Sequence, residues 1–211
     1  MSAAFNTIDH DVIIQRLQHT FGIHGMALHW IWSYLTDRRS YVRWGSGRTI
    51  TSPTDVGVPQ GSSLGPLLVS LYVAPLANVT NSFGSRHHPY ADDTYLYVFT
   101  SKEELTTGIQ TIKRCASALY AWLSHNGLAL NLFKLEAIQF SVAQGLHTNK
   151  VTAVNVADAT IAPSPTIKSL GVVLDAHLKF DDHVVAVARL ATFTSEPCAT
   201  SEHLYLTTSH A

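Results

Sequence analysis

Two neighbouring acids, Asp92 and Asp93, stand between His88-Pro89-Tyr90-Ala91 and Thr94-Tyr95-Leu96-Tyr97-Val98-Phe99. Aromatic and β-branched residues on both sides of a short polar step have the form of a β-hairpin with the acids at its tip. Adjacent carboxylates repel each other, and a partly buried pair is costly unless a cation lies between them. Hard divalent ions such as Mg²⁺ take one or two carboxylates together with substrate phosphates. Aspartate is also a favoured turn residue, so the pair taken alone fits a solvated turn at least as well. A second candidate is GVPQGSSLGP, residues 57–66. Its glycines at 57, 61 and 65 let backbone approach a ligand closely, and the Gln60 amide both donates and accepts beside them. An apolar helix beginning near Leu64 would present free N–H groups to a phosphate or base. The plainer reading is a loop feeding a helix, with Ser62 or Ser63 as its cap. It is not a Walker loop, because no Gly-Lys-Ser/Thr follows.

The elements that must hold these residues follow from periodicity. Asp9 and Asp11 precede an apolar-periodic run that stops at Gly22, and a second helix is predicted over residues 25–35 with Leu28, Ile31, Trp32 and Leu35 on one face. Tyr41 and Val42 favour a strand, with residues 54–58 as its return partner. Residues 67–77 read as one buried helix, and Ser101 with Glu104 as a capping box before a helix that carries Leu105, Ile109, Ile112, Leu119 and Leu123 to a stop at Gly127. Short strands are expected near 137–142, 151–161 and 169–174. Helices and strands mix without strict alternation, which favours an α+β class.

Hydrophobic residues make up 46% of the 211 and charged residues 14%, a globular balance. The formal net charge of −1 carries no basic footprint of a nucleic-acid protein, although a fragment without basic flanking modules would look the same. Cys115 and Cys198 match no metal or redox spacing. Acids stand where a signal peptide needs an apolar stretch, and the apolar run 64–79 is interrupted by Pro66 and Pro75. The expectation is a soluble protein of a reduced intracellular compartment, nucleus or cytoplasm. Arg38, Arg39, Arg43 and Arg48 cluster around the first predicted hairpin, as a phosphate-contacting tip or as a solvated turn. His87-His88 has no further His or Cys at ligand spacing nearby, and Trp30, Trp32, Trp44 and Trp122 read as packing residues.

The segments GVPQGSSLGPLL and, some twenty residues later, YADDT closely resemble the template-gripping and metal-binding segments of reverse transcriptases. SAAFNTIDH (2–10) resembles that family's first palm motif, and NGLALNLFKLE (126–136) and SLGVVLD (169–175) its later ones. The wording GVPQGSSLGPLL, the long insert between the first and second motifs, and YADDT match the branch of non-LTR retrotransposons (LINE- and jockey-like) better than the retroviral branch. The resemblance implies a polymerase palm with partial fingers over residues 1–190, an antiparallel sheet backed by helices, and a divergent tail over 191–211, Thr/Ser-rich, without Lys or Arg and expected to be disordered.

The implied activity is RNA-directed DNA synthesis with an RNA template, a DNA primer, deoxynucleoside triphosphates and two Mg²⁺ ions. Asp92 and Asp93 become metal-site carboxylates, Phe5 the aromatic beneath the incoming sugar, and Gln60 and Gly61 the loop beside template base and nucleotide. Tyr90 packs the hairpin against nucleic acid, and Lys134 is a candidate proton donor or electrostatic partner for the leaving pyrophosphate, or else a solvated lysine. Two departures stand out. The family's first motif opens with a metal-bridging aspartate five residues before the aromatic matched by Phe5, a position that falls ahead of Met1, and Asn6 stands where an aspartate is common. Asp9 and Asp11 are expected to cap the following helix rather than substitute for it. The site is therefore expected to be incomplete and the polymerase impaired; the alternative is a non-catalytic retroelement remnant or a nucleic-acid-binding protein.

Overall fold

The computed structural model describes residues 4–90, 93–141 and 151–194. A short helix α1 (Ala4–Thr7) leads into α2 (His10–His19), where the Asp9 carboxylate accepts the Val12 N–H at 3.0 Å and so caps the helix as expected. Ile13 and Leu17, one turn apart, are fully buried. The next helix, α3 (Gly25–Leu35), has the expected bounds; Leu35 is buried, Leu28 and Ile31 pack against the core, and Trp30 and Trp32 are exposed.

The chain then runs out into an exposed ribbon built from β1 (Arg39–Ser40), β2 (Arg43–Trp44), β3 (Gly47–Arg48) and β4 (Ser52–Pro53). Arg39 pairs with Pro53 and Arg43 with Arg48, so Thr49, Ile50 and Thr51 face only Tyr41 and Val42. This unequal count is a bulge, and it drops Tyr41 and Val42 from the ladder although their type favours a strand. The return strand is Ser52–Pro53, and Val56 instead bridges to Asp9.

The apolar run after the glycine loop folds as two helices, α4 (Gly65–Val73) and α5 (Leu76–Ser82), where a single one is predicted. Pro75, at the cap of α5, lacks the N–H that a continuous helix needs. The hairpin β5 (Arg86–Tyr90) and β6 (Asp93–Tyr97) follows in antiparallel register, Tyr90 opposite Asp93. The Ser101 Oγ accepts the Glu104 N–H at 3.3 Å just ahead of α6 (Leu105–His125), which buries Cys115, Leu119 and Leu123. Beyond a 3-10 turn (Leu132–Lys134) come two further hairpins, β7 (Val154–Val156) with β8 (Ala159–Ile161) and β9 (Thr166–Ser169) with β10 (Val172–Asp175), then α7 (Asp181–Thr194). Residues 137–141 run alongside these hairpins through single bonds, Ser164 N–H to Ala137 C=O at 2.8 Å and Ser141 N–H to Ala176 C=O at 3.0 Å, and form no ladder; Val142 lies outside the described residues. Helix α7 continues to Thr194, past the compositional change near residue 190, and residues 195–211 lie outside the described ones.

The class is α+β. Strand pairing among the described residues is antiparallel throughout, but in five two-stranded ladders rather than one sheet. Each ladder is short, and the β5–β6 hairpin rests on helices, β5 on α5 and β6 on α6, instead of on a third strand. Among the described residues no helix is long and apolar enough to cross a membrane.

One polar tie runs through the helical core. Arg16 of α2 donates to the Tyr72 carbonyl of α4 and to Asn126 Oδ1 at the end of α6. Its guanidinium also lies 4.4 Å from the Tyr72 ring centre and 5.0 Å from that of Trp122. The Tyr72 hydroxyl closes the circuit by donating to the Asn126 carbonyl at 2.8 Å. Burial lowers the Arg16 pKa and raises that of the Tyr72 phenol from their ordinary values, yet a guanidinium remains charged throughout the physiological range. Replacing Arg16 by Met keeps the stem and removes the donors; it should cost about 2 kcal/mol of stability in a denaturant melt. The Cys115 thiol is fully buried and its pKa is raised by burial. Iodoacetamide at pH 8 should therefore modify Cys115 only after unfolding, as read by peptide mass spectrometry.

Candidate functional site

The first predicted motif and the glycine loop, some fifty residues apart in sequence, are clamped together by backbone. Val58 N–H donates to the Phe5 carbonyl at 2.6 Å and Gly57 N–H to the Ile8 carbonyl at 2.7 Å. The Asp9–Val56 bridge extends this contact, and the buried His10 Nε2 stands 2.8 Å from the Gly57 carbonyl oxygen. Gly57 has φ +77°, and a Cβ there would lie 2.6 Å from the Phe5 carbonyl oxygen and 2.8 Å from the Asn6 Cα and carbonyl carbon. The close approach that the sequence suggested for a ligand is here an approach of the chain to itself.

Above the clamp the loop opens outwards. Ser62 Oγ donates to the Pro59 carbonyl at 2.7 Å and accepts the Gly65 N–H at 3.0 Å, closing the turn into α4. A Cβ on Gly65 would come 3.3 Å from Phe5 Cε1, so the absence of one there makes room for the half-buried Phe5 ring. Gln60 Nε2 donates to Asn6 Oδ1 at 3.1 Å, both side chains being exposed. Gly61 has φ +80° with open space where a side chain would stand. Phe5, Asn6, Gln60 and Gly61 thus form one surface: an aromatic edge, a neutral amide pair and bare backbone. Such a surface can stack on a flat ring system and exchange hydrogen bonds with a base edge.

The remaining candidates stand elsewhere. Tyr90 and Asp93 are exposed at the free end of the β5–β6 hairpin, and Asp92 lies outside the described residues. Lys134 is exposed on the 3-10 turn that Asn131 caps, its Oδ1 accepting the Phe133 N–H at 3.1 Å. Among the described residues no hydrogen bond joins Tyr90, Asp93 or Lys134 to the Phe5–Gln60 surface. The carboxylate chemistry of Asp92-Asp93 suits a hard divalent cation. Yet no group of three or more His, Cys, Asp or Glu is gathered for a metal among the described residues. Asp9 is committed to its cap, and His87 Nδ1 to Thr80 Oγ1 at 2.7 Å. At the end of the last motif, local desolvation acts to raise the Asp175 carboxyl. The N–H groups of Lys179, Phe180 and His177 outweigh it and hold the carboxyl below its usual range. Asp175 therefore organises the turn into α7.

Sequence reasoning missed His10. A histidine among acids at a helix start gives no sign that its ring will be buried on a glycine carbonyl.

Residues 1–174 match the family model described as Reverse transcriptase (RNA-dependent DNA polymerase). Among curated proteins of Drosophila melanogaster, the chain is 32% identical over 196 residues to the probable RNA-directed DNA polymerase from transposon BS, covering 90% of this chain and 21% of that protein. It is 30% identical over 158 residues to the probable RNA-directed DNA polymerase from transposon X-element, covering 74% and 17%. It is 25% identical over 160 residues to the RNA-directed DNA polymerase from mobile element jockey, again covering 74% and 17%. The chain spans about a fifth of the length of these relatives. No solved structure matches it significantly.

The clamp predicts a contrast between two left-handed glycines. Gly57→Ala adds a backbone clash to the conformational strain and should cost roughly 2–4 kcal/mol. Gly61→Ala meets open space and should cost about 1 kcal/mol, the strain alone. Urea denaturation of the two variants checks the order.

Proposed function

Because this chain belongs to the reverse transcriptase (RNA-dependent DNA polymerase) family, we propose that it is a partial palm and fingers of a non-LTR retrotransposon polymerase. Its reaction is DNA synthesis directed by an RNA template, and the family match over residues 1–174 supports this reading. The observation that carries it is the clamp, which sets Phe5, Asn6, Gln60 and Gly61 side by side on the surface.

In the reaction the primer 3′-oxygen bonds to the α-phosphorus of a deoxynucleoside triphosphate, the bond to the β-phosphate oxygen breaks, and pyrophosphate leaves. The hydroxyl proton passes to solvent. Phe5, backed by the room at Gly65, meets the incoming sugar. Gln60 and the bare backbone of Gly61 lie beside the template base and nucleotide, with the Gln60 amide oriented by Asn6. Tyr90 packs the hairpin end against nucleic acid, and Lys134 faces the departing pyrophosphate as a cation or proton donor. Asp92 and Asp93 would hold Mg²⁺, which when bound supplies charge neutralisation for the phosphates.

A second reading, a nucleic-acid-binding remnant without catalysis, is favoured by one observation. Asp9 is spent on helix capping and Asn6 is neutral, and no group of three or more His, Cys, Asp or Glu gathers for a metal among the described residues. The chain by itself is expected to polymerise weakly. Primer extension on an RNA template with Mg²⁺ or Mn²⁺ should give slow incorporation, abolished by EDTA and by Asp93→Asn, and reduced about tenfold or more by Gln60→Ala. Incorporation indifferent to Asp93→Asn would reject the site. Template–primer binding with no extension would favour the remnant.

A further inference from the structure

Three helices leave an apolar groove open to water. Helices α3 and α4 both pack on α2, and a cavity of about 300 Å³ beside them is lined only by apolar side chains. Leu17 of α2 lines it with Trp30 and Ile31 of α3, and with Leu64, Leu67 and Leu71 at the cap and along α4. The spacing i, i+3, i+7 sets those three leucines on one helix face. Trp30 stays 56% exposed and Leu67 53%. A groove with helical walls of this kind is the shape that receives an amphipathic helix. Near the other end of the chain, α7 has the matching form. It rests on β10, where the Val173 N–H donates to His183 Nδ1 at 3.4 Å. On another side of α7, Val184, Val187, Ala188 and Ala191 recur at i, i+3, i+4 and i+7. All four are exposed, Val184 to 64% and Val187 to 49%. Asp182 and Arg189 fall nearly opposite this stripe, so it carries no charge.

We propose that two copies of this chain exchange helices, α7 of each seated in the α2–α3–α4 groove of the other. Both halves of the contact are present on one chain, and each leaves apolar surface in water while it stands alone. Area argues for exchange in both directions. One helix in one groove covers on the order of 500 Å², about half of what a specific interface needs, and two reciprocal joints reach that threshold of roughly 1,000 Å². Symmetry argues the same way. Seating in one direction leaves a groove and a helix free at the ends and grows a filament, whereas exchange about a two-fold axis uses both and closes. An interface at the threshold is a weak one, so the dimer forms and parts reversibly in the micromolar range. The assembly rests on the groove and on α7 alone and is independent of the polymerase reading.

The test is sedimentation equilibrium of the full chain, from micromolar concentration to tenths of a millimolar. The mass should pass reversibly from one chain to two, with no larger species. Val184→Glu with Val187→Glu should raise the dissociation constant about tenfold or more, and Leu67→Glu alone should do the same from the groove side. All three positions are exposed, so the variants should keep the wild-type circular dichroism and the protection of Cys115. Cross-linking then maps the seating, in a Cys198→Ser background so that the native thiol takes no part. A chain carrying Val184→Cys, mixed with one carrying Leu67→Cys under mild oxidation, should form a disulfide-linked mixed dimer faster than either links to itself. A wild-type chain that stays monomeric over the whole range would overturn the exchange, as would folded variants that associate like the wild type. Preferential linkage of Leu67→Cys to itself would overturn it too, by setting groove against groove. Growth into species larger than two would reject the reciprocal, closed form.

Discussion

The contact on which the rest of the site depends is the backbone clamp at Gly57. Two N–H groups of the loop must reach carbonyls of residues 5–8, and that requires backbone to lie where a Cβ would otherwise stand. A left-handed glycine satisfies both the path and the spacing. From it follow the register of Val56 against Asp9, the burial of His10 and the placement of Gln60 over Asn6. None of these is a strong interaction by itself, since an intramolecular hydrogen bond is worth about 1 kcal/mol net. Together they fix two remote segments to each other through backbone atoms, which have less freedom than side chains.

Beneath the clamp, the core converges on Arg16. It joins α2, α4 and α6 through a carbonyl, an amide oxygen and two aromatic faces. Cations of this kind are retained when every donor finds a partner, and an aromatic face is a partner that costs little desolvation. The apolar residues around it, Ile13, Leu17, Leu68, Leu119 and Leu123, supply the bulk of the burial. The tie adds direction, setting the angle at which three helices meet. The amide pair at the surface and the guanidinium in the interior thus work at different depths on the same problem, holding the ends of distant segments in register.

Much of this was legible in the sequence because it is local. The bounds of α3, the acid cap of α2, the β5–β6 hairpin and the stop of α6 near Gly127 depend on neighbours within a turn or two. Where the reading differs, a competing local rule or a remote partner decides. Pro75 divides one expected helix into two through its missing donor, and a count of three residues against two takes Tyr41 and Val42 out of their ladder. The glycine loop was visible as a loop, but its partner was not, because no periodicity links residue 57 to residues 5 and 6. Serine, asparagine and glutamine in such a place announce polarity without naming the atom they will meet.

Helix α6 has a further consequence. Its 21 residues make a rod of about 31 Å at 1.5 Å per residue. Near one end Gly108 sits 3.1 Å, measured from a hypothetical Cβ, from Thr100 just beyond the β5–β6 hairpin, and just past the other end Asn126 receives Arg16. The two fastenings are therefore held apart by a rigid spacer whose length is quantised in residues. One inserted residue within it would rotate one end against the other by about 100° and carry Cys115, Leu119 and Leu123 out of phase with the core. A change of length in the exposed β1–β4 ribbon would disturb nothing of the kind. The fold thus separates a segment whose dimensions are free to drift from one whose dimensions act as a gauge block for everything fastened to it.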